Sequence, residues 1–239
     1  MSKPSNIVNR SKIGEVDSFL DRLASFHNPS QKRPAGRLMI ALDATASRQA
    51  TWDRAAHLQA EMFQVASSLG GLDIQLAFFR GFGEFKVSQW TNNTDELSRL
   101  MTSVTCLAGE TQLLKVLKHA RNEVKKSKID ALVYIGDSFE EDVDVVGQVA
   151  GELGILGLPC FMFQEGGDPL TTFAYEQIAR LSAGAFQRFD ASSAGTLLRL
   201  LKAVAVFASG GKRALCDHAD QTGGEVKLVV DQMFGKRSN

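Results

Sequence analysis

The sequence predicts a three-layer α/β/α fold with a mostly parallel central sheet and one antiparallel edge strand. Three observations carry that prediction. Apolar runs of strand length alternate with amphipathic runs of helix length along most of the chain. Two of the strand-like runs, LDIQLAFF (72–79) and EFKVSQW (84–90), are separated only by a glycine-bearing turn, which marks a hairpin. The others are separated by helix-length segments, so they need right-handed crossovers and become parallel neighbours covered on both faces.

Taken in order, GEVDSFLDRLASF (14–26) sets Val16, Phe19, Leu20, Leu23 and Phe26 on one helical stripe. HNPSQKRPAGR (27–37) breaks it with two prolines and a glycine, so residues 1–35 read as an N-terminal helix and linker. The main domain, 36–208, opens with a strand at 37–43, whose residues Leu38, Met39, Ile40 and Leu42 are apolar without alternation, as burial on both faces requires. A helix at 51–69 follows, then the hairpin, a short helix near 94–104 and a longer one from 111. Strands at 129–136, 158–163 and 184–190 are each followed by a helix, at 140–155, 169–182 and 194–208. Residues 209–239 form a C-terminal extension that loses this rhythm, with a helical continuation near 211–219 and a loosely held tail. Aromatics around the hairpin (Phe78, Phe79, Phe85, Trp90) alternate as core residues do, whereas Phe82 falls at the tip as an exposed anchor.

Composition narrows the function classes. The 239 residues suit one large α/β domain, with 44% hydrophobic and 23% charged residues as in an ordinary globular protein. Lys plus Arg equals Asp plus Glu at 27 each, which argues against nucleic acid or an anionic membrane as the partner. Cys106, Cys160 and Cys216 are odd in number and far apart, the pattern of reduced thiols in a cytoplasmic protein. No signal peptide is expected from MSKPSNIVNRSK, and LLRLLKAVAVFAS is too short to span a bilayer. No G-x-x-x-x-G-K or G-x-G-x-x-G follows the first strand, so no phosphate loop is expected. CDHAD (216–220) lacks a second ligand pair at zinc spacing and reads as surface.

In an open α/β sheet, ligand groups collect at the carboxyl ends of the strands. Asp43 ends the first strand, and Asp137 ends IDALVYIGD. Thr45 and Ser47 follow Asp43 at alternate positions, so a chain still extended turns all three to one side. Thr111 opens the long helix after LAGE. An all-oxygen set without His or Cys suits a hard cation such as Mg²⁺ or Mn²⁺. Two carboxylates at neighbouring strand ends also repel unless positive charge lies between them.

These residues resemble a known family. DATAS (43–47) is similar to the D-x-S-x-S signature of von Willebrand factor type A (VWA) domains, with Thr45 for the first Ser. Thr111 matches the family's second-loop Thr, and GDS (136–138) its strand-terminal Asp, with Ser138 where Gly is usual. The resemblance covers about residues 36–208. It implies a metal-ion-dependent adhesion site (MIDAS), with direct hydroxyl ligands at Thr45, Ser47 and Thr111 and with Asp43 and Asp137 coordinating directly or through water. It further implies one open coordination position completed by an Asp or Glu of a partner protein, and no catalysis. An AAA+ ATPase or a chaperone is the partner that intracellular bacterial members suggest.

Each residue has a plainer reading. Ser47 or Thr51 can cap the helix after the first strand, and Thr111 the helix it opens. Ser138 with Glu141 fits a capping box, leaving Glu140, Glu141 and Asp142 as solvated helix-start charges. An enzyme is the alternative of a different class. DATAS and GDSFEED also resemble motifs of haloacid-dehalogenase-type Mg²⁺-dependent phosphatases and phosphotransferases, with Asp43 as nucleophile and Asp137 paired with Asp142. Against it, Thr45 replaces the second acid of those phosphatases, and an amphipathic helix follows where their flap is expected.

Overall fold

The computed structural model describes residues 36–49, 72–190 and 194–235; the helices expected at 14–26 and 51–69 lie outside the described residues. Six strands form one sheet: β1 (Arg37–Asp43), β2 (Asp73–Arg80), β3 (Glu84–Val87), β4 (Ala131–Gly136), β5 (Cys160–Glu165) and β6 (Ala185–Phe189). Their order is β3-β2-β1-β4-β5-β6. All neighbours are parallel except the β2–β3 hairpin, which supplies the antiparallel edge strand. The described helices are α1 (Thr94–Ser103), α2 (Leu113–Lys126), α3 (Val143–Ile155), α4 (Pro169–Leu181), α5 (Ala194–Thr222) and α6 (Gly224–Phe234). Together with a single 3-10 turn at Ala46–Arg48, they give the predicted three-layer α/β architecture.

The central strands are buried on both faces, which is why RLMIALD and ALVYIG lack alternation. On one face Met39, Ala41, Leu132, Tyr134 and Met162 meet Leu113, Val116 and Leu117 of α2, Val146 and Leu153 of α3, and Tyr175 and Ile178 of α4. Toward the other face, α5 lies against β1 and β4. Each fully buried aliphatic side chain of this kind contributes about 1.5–3 kcal/mol.

The helix starts differ from the sequence reading in an informative way. The helix after β4 begins at Val143, and its cap is Asp142, which accepts from the N–H groups of Asp144 and Val145. Ser138 therefore opens no capping box. Glu141 reaches instead to another helix, accepting from Leu113 N at 2.5 Å and Leu114 N at 3.0 Å at the start of α2. Burial raises the Glu141 pKa, and those two N–H groups oppose the rise. The tail also differs. The chain stays helical to Thr222 across a kink at Gly211 (φ 69°), and α6 then buries Val226, Val229 and Val230. Gln232 of α6 donates to Phe186 O (3.0 Å) and accepts from Phe186 N (2.7 Å), so its amide completes the outer edge of β6. The segment is held by these contacts, and Cys216, expected at the surface, is buried.

Candidate metal centre

Register builds the site. Leu42 of β1 pairs with Ile135 of β4, so one step further Asp43 and the Gly136–Asp137 pair leave the sheet side by side at its carboxyl edge. The chain after Asp43 bends at once. Asp43 Oδ1 accepts from Thr45 N (2.8 Å), and Thr45 Oγ1 lies 3.1 Å from Ser47 Oγ. Asp43 and Thr45 are buried, whereas Ser47 is exposed and faces a cleft.

Thr111 comes from a third loop. The preceding segment runs beside the first loop, through a bridge between Leu107 and Thr45 and a hydrogen bond from Leu107 N to Ala44 O (3.1 Å). Thr111 Oγ1 accepts from Glu140 N (3.1 Å), and Glu140 accepts from Thr111 N (3.2 Å), which ties this loop to the one carrying Asp137. Thr111 does not cap α2: the cap position is Gln112, with no side-chain cap bond. Thr45 likewise precedes the 3-10 turn without capping it. The structure thus joins Asp43, Thr45 and Ser47 by direct bonds and brings Asp137 within electrostatic reach of Asp43. Thr111 is linked to them through the loop after β4.

Two carboxylate oxygens in this cluster, Asp43 Oδ2 and Asp137 Oδ1, are buried and accept no hydrogen bond among the described residues. Buried polar atoms left in that condition are costly. The electrostatics agree. Burial pushes the Asp43 pKa up to about 6; bonds from Thr45 oppose the rise, Asp137 adds to it, and Arg48 opposes it. Among the described residues no three His, Cys, Asp or Glu side chains cluster to hold a metal. A cation here would depend on two carboxylates supplemented by hydroxyls.

Gly136 is required by close approach. A Cβ there would lie 2.6 Å from Tyr175 Oη and 3.0 Å from Tyr134 Oη. The two rings meet edge to face at 5.4 Å beneath the loop, and Tyr175 Oη donates to Ser138 O (3.0 Å), which steadies the turn after Asp137.

Sequence reasoning missed Arg48 and Glu165. Arg48 is only 1% exposed, and its Nη2 lies 3.2 Å from Glu165 Oε2 at the end of β5. Glu165 was within reach of the strand-end rule that selected Asp43 and Asp137; extending the rule to FMFQE would have found it. Nothing in ASRQ distinguished Arg48 from a helix-start charge.

No family model and no curated protein sequence matches this chain. Solved structures do. A von Willebrand factor type A structure from Catenulispora acidiphila is similar at 12% identity and TM-score 0.60, over 74% of this chain and 43% of that one. The vWF domain of the type V pili tip protein Mfa5 from Porphyromonas gingivalis is similar at 10% identity and TM-score 0.60, over 73% and 96%. The SpRpn10 VWA domain is similar at 12% identity and TM-score 0.57, over 74% and 98%. The present chain thus spans under half of the Catenulispora structure and nearly all of the other two domains. At such identities the likeness concerns the fold alone, and the fold is that of a VWA domain. No described helix is long and apolar enough to cross a membrane.

Proposed function

We propose that this chain is a non-catalytic protein-interaction module that works through a divalent cation, Mg²⁺ or Mn²⁺, held by Asp43, Thr45, Ser47, Thr111 and Asp137. One coordination position stays open for an Asp or Glu of a partner protein. The observation that carries the reading is the pair of buried carboxylate oxygens, Asp43 Oδ2 and Asp137 Oδ1, with no donor among the described residues. The donor chemistry supports it, since carboxylate and hydroxyl oxygens are what a hard cation takes. So does one contact. Thr45 Oγ1 and Ser47 Oγ share a hydrogen bond at 3.1 Å, which keeps both hydroxyls together beside Asp43, where they would be available to the ion. Thr111 Oγ1 accepts one N–H and keeps a second lone pair. The cation itself supplies neutralising charge and a Lewis-acid position for a carboxylate.

Arg48 favours a second reading, in which its guanidinium replaces the metal as counter-charge to the acids. Its ion pair with Glu165 weighs against this, because that carboxylate already takes a share of the charge. The phosphotransferase reading needs Asp142 beside Asp137, yet Asp142 is engaged in capping α3. Cytoplasmic location is part of the proposal, supported by three buried free cysteines.

Thermal unfolding in EDTA and in millimolar Mg²⁺ or Mn²⁺ tests it. At about 100 times its dissociation constant the ion stabilises the wild type by roughly 2.7 kcal/mol, and Asp43→Ala abolishes the gain. No shift in the wild type with either ion would overturn the reading.

A further inference from the structure

The cation position is not the end of the recognition surface. A cleft of about 630 Å³ begins at Ser47 and Asp137 and runs along the carboxyl edge past Glu165 and Gly167 to Arg188 and Asp190. We infer that this cleft takes a partner segment carrying two acidic side chains, one for the cation and one for Arg188. The inference rests on the metal-dependent reading above.

Register places Arg188. Gly136 of β4 pairs with Gln164 of β5, and Gln164 pairs with Arg188 of β6, so the three form one row across the sheet. Arg188 therefore lies two strand spacings, about 10 Å, from the strand that delivers Asp137. Its side chain is exposed, and among the described residues it makes no hydrogen bond or ion pair. Gly167 leaves room for it: a Cβ at that position would come within 3.2 Å of Arg188 Nη2. Glu165, the carboxylate between the two ends, is already paired with Arg48, so it does not neutralise Arg188. With the cation in place the cleft would offer a Lewis-acid position at one end and the Arg188 guanidinium at the other, where Asp190 also lines it.

That spacing selects a ligand. Alternate side chains of an extended peptide emerge on one side about 7 Å apart, and the length of the Arg188 side chain covers the remainder. Guanidinium and carboxylate also match in planar, two-point geometry. The recognised element is thus an acidic residue followed two positions later by a second, in an extended partner segment.

Two acetylated, amidated peptides test this in millimolar Mg²⁺: Gly-Asp-Gly-Glu-Gly and its Gln counterpart, titrated against wild type, Arg188→Gln and Arg188→Lys. Wild type is expected to bind the two-acid peptide roughly tenfold more tightly than the one-acid peptide, the worth of one charge-assisted contact. Arg188→Gln loses that preference while keeping the one-acid affinity and the Mg²⁺-induced thermal shift; Arg188→Lys retains part of it. A wild type that shifts with Mg²⁺ and binds both peptides equally overturns this inference alone; one that shifts with Mg²⁺ and binds neither overturns it together with the partner-carboxylate part of the proposed function. So does a preference that survives Arg188→Gln. Absence of any Mg²⁺ shift overturns the metal reading itself, and this inference with it.

Discussion

Replacing Asp43 by asparagine should stabilise the metal-free protein at neutral pH and remove its response to metal. Asp43 is buried, with one oxygen lacking a donor, and its pKa is pushed up to about 6 from 3.8. A carboxyl whose pKa rises on folding binds its proton more tightly in the folded state. Its contribution is fully present below about pH 4 and is lost as pH rises through 6. The size of the rise corresponds to a loss of about 3 kcal/mol at pH 7 in EDTA. The amide of the Asp43→Asn variant keeps an oxygen for the Thr45 N–H and carries no charge, so it escapes that loss. Other acids titrate over the same range, but the difference between variant and wild type cancels them. Urea unfolding at 25 °C in EDTA, at several pH values from 4 to 8, measures that difference. Asp43→Asn should gain on the wild type by about 3 kcal/mol between pH 4 and 7, then run level. Saturating Mg²⁺ at pH 7 should close the gap, because the ion binds the ionised wild type and not the amide. A difference that is flat from pH 4 to 8, or that moves against the variant, would refute the claim that Asp43 is an uncompensated buried carboxylate.

Two further predictions concern the frame around the site. Gly136→Ala drives a methyl to within 2.6 Å of Tyr175 Oη, so it should cost about 1–3 kcal/mol in urea unfolding and weaken the Mg²⁺ response by displacing Asp137; an unchanged midpoint would refute the close-packing account. Gln232→Ala strips both partners from the Phe186 backbone at the β6 edge and should cost about 1–3 kcal/mol; amide hydrogen exchange at Phe186 should accelerate, and unaltered protection would show that α6 does not depend on this contact.

The parts of this molecule legible in the sequence are those set by burial and by position at strand ends. LMIAL and ALVYI announce strands because both faces of a central parallel strand are covered, so their type and order were readable. The placement of Asp43, Thr45, Ser47 and Asp137 together at one sheet edge was readable because a polar residue ending such a run emerges at the carboxyl edge of the sheet. Helix caps were less legible. Ser138 and Glu141 have the spacing of a capping box, but Glu141 is taken by the unpaired N–H groups of α2, which only the tertiary fold brings near. The residues after 209 looked loose because their apolar content is modest; their order comes from Val226, Val229 and Val230 and from Gln232 meeting an open strand edge. Arg48 was illegible for a related reason, since its burial depends on Glu165 arriving from a strand more than a hundred residues later in the chain.

The proposed function requires a divalent cation between Asp43 and Asp137. Anomalous diffraction from crystals grown in Mn²⁺, with the variant Asp43→Ala grown alongside, tests it most directly. A single anomalous peak is expected at about 2.0–2.3 Å from oxygens drawn from the set Asp43, Thr45, Ser47, Thr111 and Asp137. That peak should be lost in the variant. A wild-type site without the peak at saturating Mn²⁺, with the Arg48 guanidinium bridging the two carboxylates in its place, would contradict it.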